Sequence, residues 1–415
     1  WILIKNNNFT VFLCADLRNM NKCEGRSVMS KLFVAPLICS SALLLLACGP
    51  NNTNSKAPEN SVQHTQNTLN QTFQIDTFAQ FDEPWAVVVL PDQRLLVTER
   101  KGQLKLFDPK TKKNLNVQGI PTVSYGGQGG LGDVVLHPDF KNNHWIYLSY
   151  AVQGSGGYGA EISRAKLDLS NPEQPKLTDL TRIWQQVPKV SGQGHYAHRM
   201  LFGADGKLWV SSGERQKFDP AQDMKSNLGK ILRLNEDGTP VSDNPFSQQG
   251  GVTAEIWSLG HRNPLGMAFD DQKQLWVVEM GPKGGDELNQ ILKGANYGYP
   301  IVSNGDHYSG LPIPDHKTRP EFKAPAIDWT PVISPSSMII YTGDKFPLWQ
   351  QKALIGGLSS KSIVVVDLKS QPVKEVQRLD MKQRIRGLQQ AQDGSIWVIE
   401  DGPQAKLLKL NANQI

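Results

Sequence analysis

One pattern recurs along this chain and limits what it can build: a short apolar strand, a turn carrying Asp or Gly, then a second apolar strand. It reads WAVVVLPDQRLLVTER from Trp85, GDVVLHPDFKNNHWIYLSY from Gly132, RMLFGADGKLWVSSGER from Arg199, GMAFDDQKQLWVVEMGP from Gly266 and GLQQAQDGSIWVIEDGP from Gly387. The turn aspartates Asp92, Asp139, Asp205, Asp271 and Asp393 are spaced by 47, 66, 66 and 122 residues. The last interval has room for one more unit, and SSMIIYTGDKFPLWQQKALIGGL from Ser336 fills it with a variant hairpin. A lone hairpin is marginal in water, so each unit must bury its apolar face on the next. Six units of this size predict an all-β, six-bladed β-propeller whose long blade-connecting loops crowd one end of the central channel and form the active site there. A β-sandwich is the alternative, but it does not require a hairpin echo at blade spacing.

The N-terminal region reads differently. Residue 1 is Trp, and residues 1–28 read as translated upstream sequence with no structural role. Residues 29–47 have a basic start at Lys31 and a short apolar run, and they end in Leu45-Leu46-Ala47-Cys48, which looks like a bacterial lipobox. The apolar run from Leu32 to Ala47 is short for a membrane span. A lipoprotein signal is therefore expected, with Cys48 as the lipidated first residue of a protein held on the periplasmic side of a bacterial, outer membrane. Residues 48–72 are mostly Asn, Thr, Ser, Gln and Pro, too polar to offset the entropy of ordering, and read as a flexible tether. The propeller is assigned to residues 73–415.

This division decides two further points. Cys14, Cys23, Cys39 and Cys48 all lie at or before the cleavage position, so the body offers no disulfide, thiolate metal site or thiol nucleophile. Residues 1–47 hold five basic and two acidic side chains of the chain's 44 and 39, leaving 39 against 37. A balance so close to neutral gives no electrostatic footprint for nucleic acid.

Several loop residues stand out by type. Gly194-His195-Tyr196-Ala197-His198-Arg199 sets two histidines before a strand, and on extended chain they point to opposite faces. Gly260-His261-Arg262-Asn263-Pro264 opens another strand. Arg384 and Arg386, two apart, share one strand face, as a bound polyanion would require. Gly281-Pro282 with Asp286-Glu287 offers carbonyl and carboxylate oxygens, the ligands that calcium prefers, though a solvated acidic turn reads the same way.

Taken together, GQGGLGDVVLHPDFKNNHWIYLSY, GHYAHRMLF, SLGHRNPLGMAF, EMGPKGGDELNQILKGANYGYP and RIRGL, in that order, resemble the quinoprotein glucose/sorbosone dehydrogenase family from about Phe78 to Leu410. The resemblance implies pyrroloquinoline quinone (PQQ) and Ca²⁺ as cofactors and an aldose sugar as substrate. It makes His195 the base that takes the anomeric hydroxyl proton, which suits an imidazole because its ordinary pKa lies near working pH. Glu214 stands where an acidic partner orients that histidine; some members carry Asp there. Gln128 matches a glutamine beside substrate and quinone. Arg262 matches the residue that stabilises charge on the reacting oxygen, Asn263 a cofactor contact, and Arg384 and Arg386 cofactor-binding arginines, consistent with arginine's bidentate grip on carboxylates. The carbonyls of Gly281 and Pro282 match ligands of a calcium on the quinone, while Glu287 and the Tyr297 carbonyl match a second, structural calcium site.

One position departs from the family. Where a lysine usually follows the strand like Ala353-Leu354-Ile355-Gly356-Gly357-Leu358, this chain has Ser359, with Lys361 two residues on as the candidate replacement. The expected activity is a periplasm-facing quinoprotein aldose dehydrogenase that passes electrons to a quinone or cytochrome. A calcium-dependent propeller lactonase and a non-catalytic binding propeller are the rivals; a neutral lactone needs no cradle of three arginines, and a binding module needs no His195, Glu214 and Gln128 together.

The lipobox carries its own test. Cys48→Ser is expected to leave the protein in the aqueous phase on detergent partitioning while the wild type enters the detergent phase. Aqueous partitioning of both forms would remove the lipid anchor.

Overall fold

The computed structural model describes Lys5–Asn6, Phe9–Thr10 and residues 73–412. Lys5–Asn6 and Phe9–Thr10 pair antiparallel within the stretch expected to have no structural role. The signal, the tether and Cys48 lie outside the described residues. Among the described residues, no helix is long and apolar enough to cross a membrane.

Residues 73–412 form the expected six-bladed propeller, each blade a four-stranded antiparallel sheet. The first five blades run in chain order. Their innermost strands are Pro84–Val89, Leu131–Leu136, Ala197–Phe202, Pro264–Phe269 and Pro335–Ile340. The sixth takes Ile385–Gln390, Ile396–Glu400 and Ala405–Ala412 from the C-terminal end and its outer strand, Phe73–Phe81, from the N-terminal end. Phe81 pairs with Ala405 and Phe73 with Ala412, so backbone hydrogen bonds close the ring.

The predicted turn aspartates fall between the first and second strands of their blades. Tryptophans in the second-strand segments KLWV, QLWV and SIWV (Trp209, Trp276 and Trp397) are buried and belong to the packing between blades. The apolar core is divided accordingly. Trp85, Leu96 and Leu148 join blades one and two, Tyr147 and Val210 blades two and three, and Trp209 and Val277 blades three and four. Trp276 and Ile355 join blades four and five, Leu354 and Val398 blades five and six, and Trp397 and Val97 blades six and one.

Each innermost strand departs from regular register at its first residues: between Pro84 and Val87, Leu131 and Val134, Ala197 and Met200, Pro264 and Gly266, Pro335 and Ser337, and Ile385 and Gly387. A bulge of this kind re-aims the side chains it carries. Here the shifted segments carry Trp85, His198, Leu265 and Arg386, all of which face one cavity at the channel mouth.

Beneath that cavity Arg199 of blade three ties the ring across its axis. Its guanidinium donates to the Asp133 carboxylate of blade two at 2.9 Å, the Leu265 carbonyl of blade four at 2.8 Å and the Ser336 carbonyl of blade five at 2.9 Å. It also lies 4.0 Å from the ring centroid of Trp85 in blade one. Burial raises the Asp133 pKa even against the opposing Arg199 charge, so Asp133 is costly to leave unpaired. Arg199→Ala is expected to lower stability by about 3–5 kcal/mol, the usual effect of stranding a buried charge. Adding Asp133→Asn in that background is expected to recover part of the loss. Denaturant midpoints at constant m-value measure both; a single-variant loss below about 1 kcal/mol, the range of exposed ion pairs, would show that the axial tie does not hold the ring.

Candidate active site

The cavity at the channel mouth has a volume of about 430 Å³ and is bounded by residues from several blades, among them Trp85, Gln128, His198, Asn263, Arg384 and Asp401. That size suits a compact ligand.

His195 stands on the loop before the innermost strand of blade three. Its backbone N–H donates to Gln128 Oε1 at 2.7 Å, and its Nδ1 is hydrogen-bonded to Glu214 Oε1. With Nδ1–H given to a carboxylate, Nε2 is the nitrogen that carries the lone pair. Burial pushes the imidazole below its ordinary pKa and Arg262 pushes the same way, outweighing the Glu214 hydrogen bond, so the ring is neutral at neutral pH. Burial works against the Glu214 charge, but the His195 bond and the Phe218 N–H outweigh it and hold the carboxyl below the usual range. Its Oε2 accepts from the backbone N–H of Lys217 at 2.5 Å and of Phe218 at 2.8 Å. Glu is therefore accommodated here in direct contact with His195.

The extended-chain expectation for the two histidines needs correcting. His195, Ala197 and His198 have φ of 46°, 56° and 51°, so the segment is not regular strand. Such left-handed conformations at non-glycine residues carry strain and cluster at functional sites. Arg215 clamps the loop by donating to the carbonyls of Gly194 at 2.8 Å, Tyr158 at 2.6 Å and Gly192 at 2.7 Å. The two imidazoles do separate. His198 stacks on Trp85 with centroids 5.0 Å apart, bonds Ser149 Oγ through Nδ1 at 2.7 Å, and forms part of the cavity floor. Burial, with the Arg199 charge adding, drives its pKa down to about 3. Gly132 allows this placement, since a Cβ there would stand 1.9 Å from the His198 ring.

Gln128 comes from the Gly-rich loop after blade one. Arg100 holds that loop through the carbonyls of Gly127 and Gly129 and pairs with Glu83 at 3.0 Å. Neither Arg100 nor Glu83 was singled out in the sequence; an Arg in the ordinary TER end of a repeat hairpin carries no distinguishing signal. Arg262 and Asn263 are held by blade four. The Arg262 N–H donates to Glu279 Oε2 at 2.7 Å, and its guanidinium donates to the Met280 carbonyl at 3.0 Å. Its carbonyl accepts from Glu214 N–H at 2.9 Å, joining the two loops. Arg262 Nε and Asn263 Oδ1 are buried without a hydrogen-bond partner among the described residues. Arg384 and Arg386 share a face as expected, both bonded to Asp401, which the sequence reading did not single out. Lys361 lies apart from the cavity lining, exposed on the turn between Ala353–Gly357 and Ser362–Asp367 with φ 51°, and Ser359 Oγ is occupied by the Val332 carbonyl at 3.1 Å.

The expected metal ligands divide into two places. Gly281 and Pro282 are buried after the second strand of blade four, and Gly281 N–H donates to Asp286 Oδ1 at 2.9 Å. Glu287 is buried beside Glu279, Asp286 and Asp328; burial, then the Glu279 charge, raises its pKa well above the usual range. Asn289 Nδ2 donates to both Glu279 and Glu287 at 3.0 Å, while Asn289 Oδ1 has no partner among the described residues. The Tyr297 carbonyl is met by His316 Nε2 at 3.1 Å. Among the described residues, no group of three or more His, Cys, Asp and Glu side chains is arranged to hold a metal, so a cation would depend on carbonyl and amide oxygens as well.

A family profile described as glucose/sorbosone dehydrogenase matches residues 81–409. The chain belongs to this family. It is 37% identical over 388 residues to aldose sugar dehydrogenase YliI of Escherichia coli K12, spanning 91% of this chain and 98% of that one. The apo-form crystal structure of the soluble aldose sugar dehydrogenase of E. coli superimposes with a TM-score of 0.76 at 37% identity, covering 82% of this chain and all of that one. The PQQ-bound form of the aldose sugar dehydrogenase of Streptomyces coelicolor gives a TM-score of 0.69 at 28% identity, covering 82% and 98%. The protein is an oxidoreductase of the sugar dehydrogenase class.

Proposed function

We propose that this protein oxidises aldose sugars at the anomeric carbon to lactones, with calcium-bound PQQ as hydride acceptor and His195 as general base, on the periplasmic side of the membrane. The observation that carries the reading is a neutral imidazole oriented by a buried carboxylate, on a residue that is itself outside the lining but bonded to Gln128 and adjacent to Tyr196, both of which line a cavity edged with guanidinium groups. The S. coelicolor relative, named as PQQ-bound, supports the same cofactor here.

The residues fit both groups. Arg384, Arg386 and Asn263 edge the cavity, and Arg262 Nε and Asn263 Oδ1 are a donor and an acceptor left unsatisfied among the described residues. Arginine at such positions matches a cofactor bearing three carboxylates. For calcium, the buried Glu287 has neighbouring carboxylates and an Asn289 Oδ1 with no hydrogen-bond partner among the described residues, and a divalent cation would offset the burial and the carboxylate repulsion that raise its pKa. Gly281 and Pro282 are the carbonyl ligands proposed for the calcium on the quinone, and Glu287 with the Tyr297 carbonyl those of the second ion.

When bound, the calcium-held quinone supplies the electrophile that accepts hydride. The chain's own residues do the rest. Glu214 keeps the His195 proton on Nδ1, so Nε2 takes the anomeric hydroxyl proton as hydride leaves the sugar carbon. Glu214 then stabilises the imidazolium. Gln128 holds the His195 backbone in register, and Arg262 contributes positive charge where negative charge develops. Electrons are proposed to pass onward to a quinone or cytochrome, and Cys48 is proposed to tether the enzyme to the membrane by lipid.

Purified apoprotein given PQQ, Ca²⁺, glucose and an artificial dye is expected to reduce the dye, and exhaustive chelation is expected to abolish this until Ca²⁺ returns. No dye reduction with any of a panel of aldoses, alongside hydrolysis of a lactone, would replace the dehydrogenase reading with the lactonase one. His195→Ala is expected to slow reduction roughly 10²–10⁴-fold, as for loss of a positioned general base, while leaving quinone binding intact.

The pH dependence has a definite sign. A base with a depressed pKa stays competent until pH falls through that value, so the acid limb of kcat/KM is expected below 6.5, the ordinary value for His. Glu214 raises the His195 pKa, so Glu214→Gln is expected to move the limb lower still. An acid limb at or above 6.5 would assign the base elsewhere.

A further inference from the structure

Among the described residues, Asp401 is the one acidic group in contact with both Arg384 and Arg386, and its place in a cavity proposed for a tricarboxylate is paradoxical. It follows the second strand of blade six, where its backbone N–H donates to the Arg384 carbonyl at 2.9 Å. Oδ2 accepts from Arg384 Nε at 2.7 Å; Oδ1 accepts from Arg386 Nε at 2.8 Å and lies 2.7 Å from Arg386 Nη2. Burial works against its charge, but Arg386 and then the Arg384 hydrogen bond hold the carboxyl below the usual range, so Asp401 is ionised at neutral pH. By charge alone it opposes an anionic ligand, because Arg100, Arg384 and Arg386 among the lining residues face Glu83 and Asp401.

Geometry says otherwise. The two guanidinium groups share a single carboxylate, and the side chains are unequally covered: Arg384 is 46% exposed and Arg386 13%. The carboxylate takes the Nε edge of each, fixing the planes of both forks and screening two like charges from one another. Without it the buried Arg386 has no ion-pair partner among the described residues, and the more exposed Arg384 is free to swing into solvent. We propose that Asp401 is a positioning residue for cofactor binding: it strengthens the cavity's hold on a polycarboxylate by presenting Arg384 and Arg386 pre-aligned. The inference rests on the quinone reading above.

The two effects have opposite signs, and direct titration separates them. PQQ is titrated into wild-type, Asp401→Asn and Asp401→Glu apoproteins with Ca²⁺ present, read by cofactor absorbance or intrinsic tryptophan quenching, with circular dichroism and melting temperature recorded for each. Asp401→Asn is expected to bind about tenfold more weakly or worse, on the scale of one charge-assisted contact. Asp401→Glu, which keeps the charge and shifts the carboxylate by a methylene, is expected to fall between the two. In an Arg384→Gln background the Asp401→Asn loss is expected to shrink, because the residue acts partly through that arginine. A folded Asp401→Asn protein that binds as tightly as wild type, or more tightly, overturns the proposal. If that variant does not fold, equal affinity of Asp401→Glu and wild type does so. Failure of the wild-type apoprotein to bind PQQ would instead overturn the quinone reading itself.

Discussion

The structure turns on one guanidinium at the channel axis. The ring is held mainly by apolar packing between neighbouring blades, so contacts across its axis must come from other groups. Arg199 answers this by bonding to blades two, four and five at once while lying against a tryptophan of blade one. The same residue sits beneath the His198–Trp85 stack that floors the cavity. A single buried pair with Asp133 therefore joins the stability of the ring to the shape of the site.

Above that floor, the site is built from strained backbone held by rigid neighbours. His195, Arg215 and Phe218 have left-handed φ, a conformation that survives only where the surroundings over-determine it. Here they do: Gln128 and Arg262 bond the segment from two other loops, and Arg215 satisfies three carbonyls. The result is an imidazole with one orientation and one usable nitrogen. The bulges at the inner-strand starts act similarly, giving regular sheets a rim of re-aimed side chains.

Much of this was legible in the sequence because it follows from periodicity. The hairpin echo at Asp92, Asp139, Asp205, Asp271 and Asp393, and the variant unit from Ser336, were enough for six blades. The two-residue spacing of Arg384 and Arg386 pointed to one common ligand, and they do converge, although across a register shift and on Asp401 rather than by regular strand alternation alone. His195 and Glu214 were reached through motif resemblance and stand in contact. What stayed hidden depends on contacts between segments distant in the chain. Asp401 lies 15 residues from Arg386 in an unremarkable turn. Arg199 was one letter of a repeat, and nothing local marks it as the residue that spans the channel. The expectation of extended chain at His195–His198 failed because local sequence does not encode the positive φ that the surrounding loops impose.

The shared sixth blade has a consequence for how the protein comes to exist. Phe73–Phe81 is among the first segments of the domain to be synthesised, yet its hydrogen-bonding partner, Ala405–Ala412, is among the last. The strand that closes the ring must therefore wait, unpaired and edge-exposed, while more than three hundred residues are made. Its exposed positions, Gln74, Ile75, Thr77 and Gln80, fall on both faces of the strand, so the folded ring covers it only in part. Closure is thus a checkpoint on completeness: a nascent chain stopped short of blade six leaves a clasp with nothing to fasten to, and it is this last pairing that turns a row of blades into an enzyme.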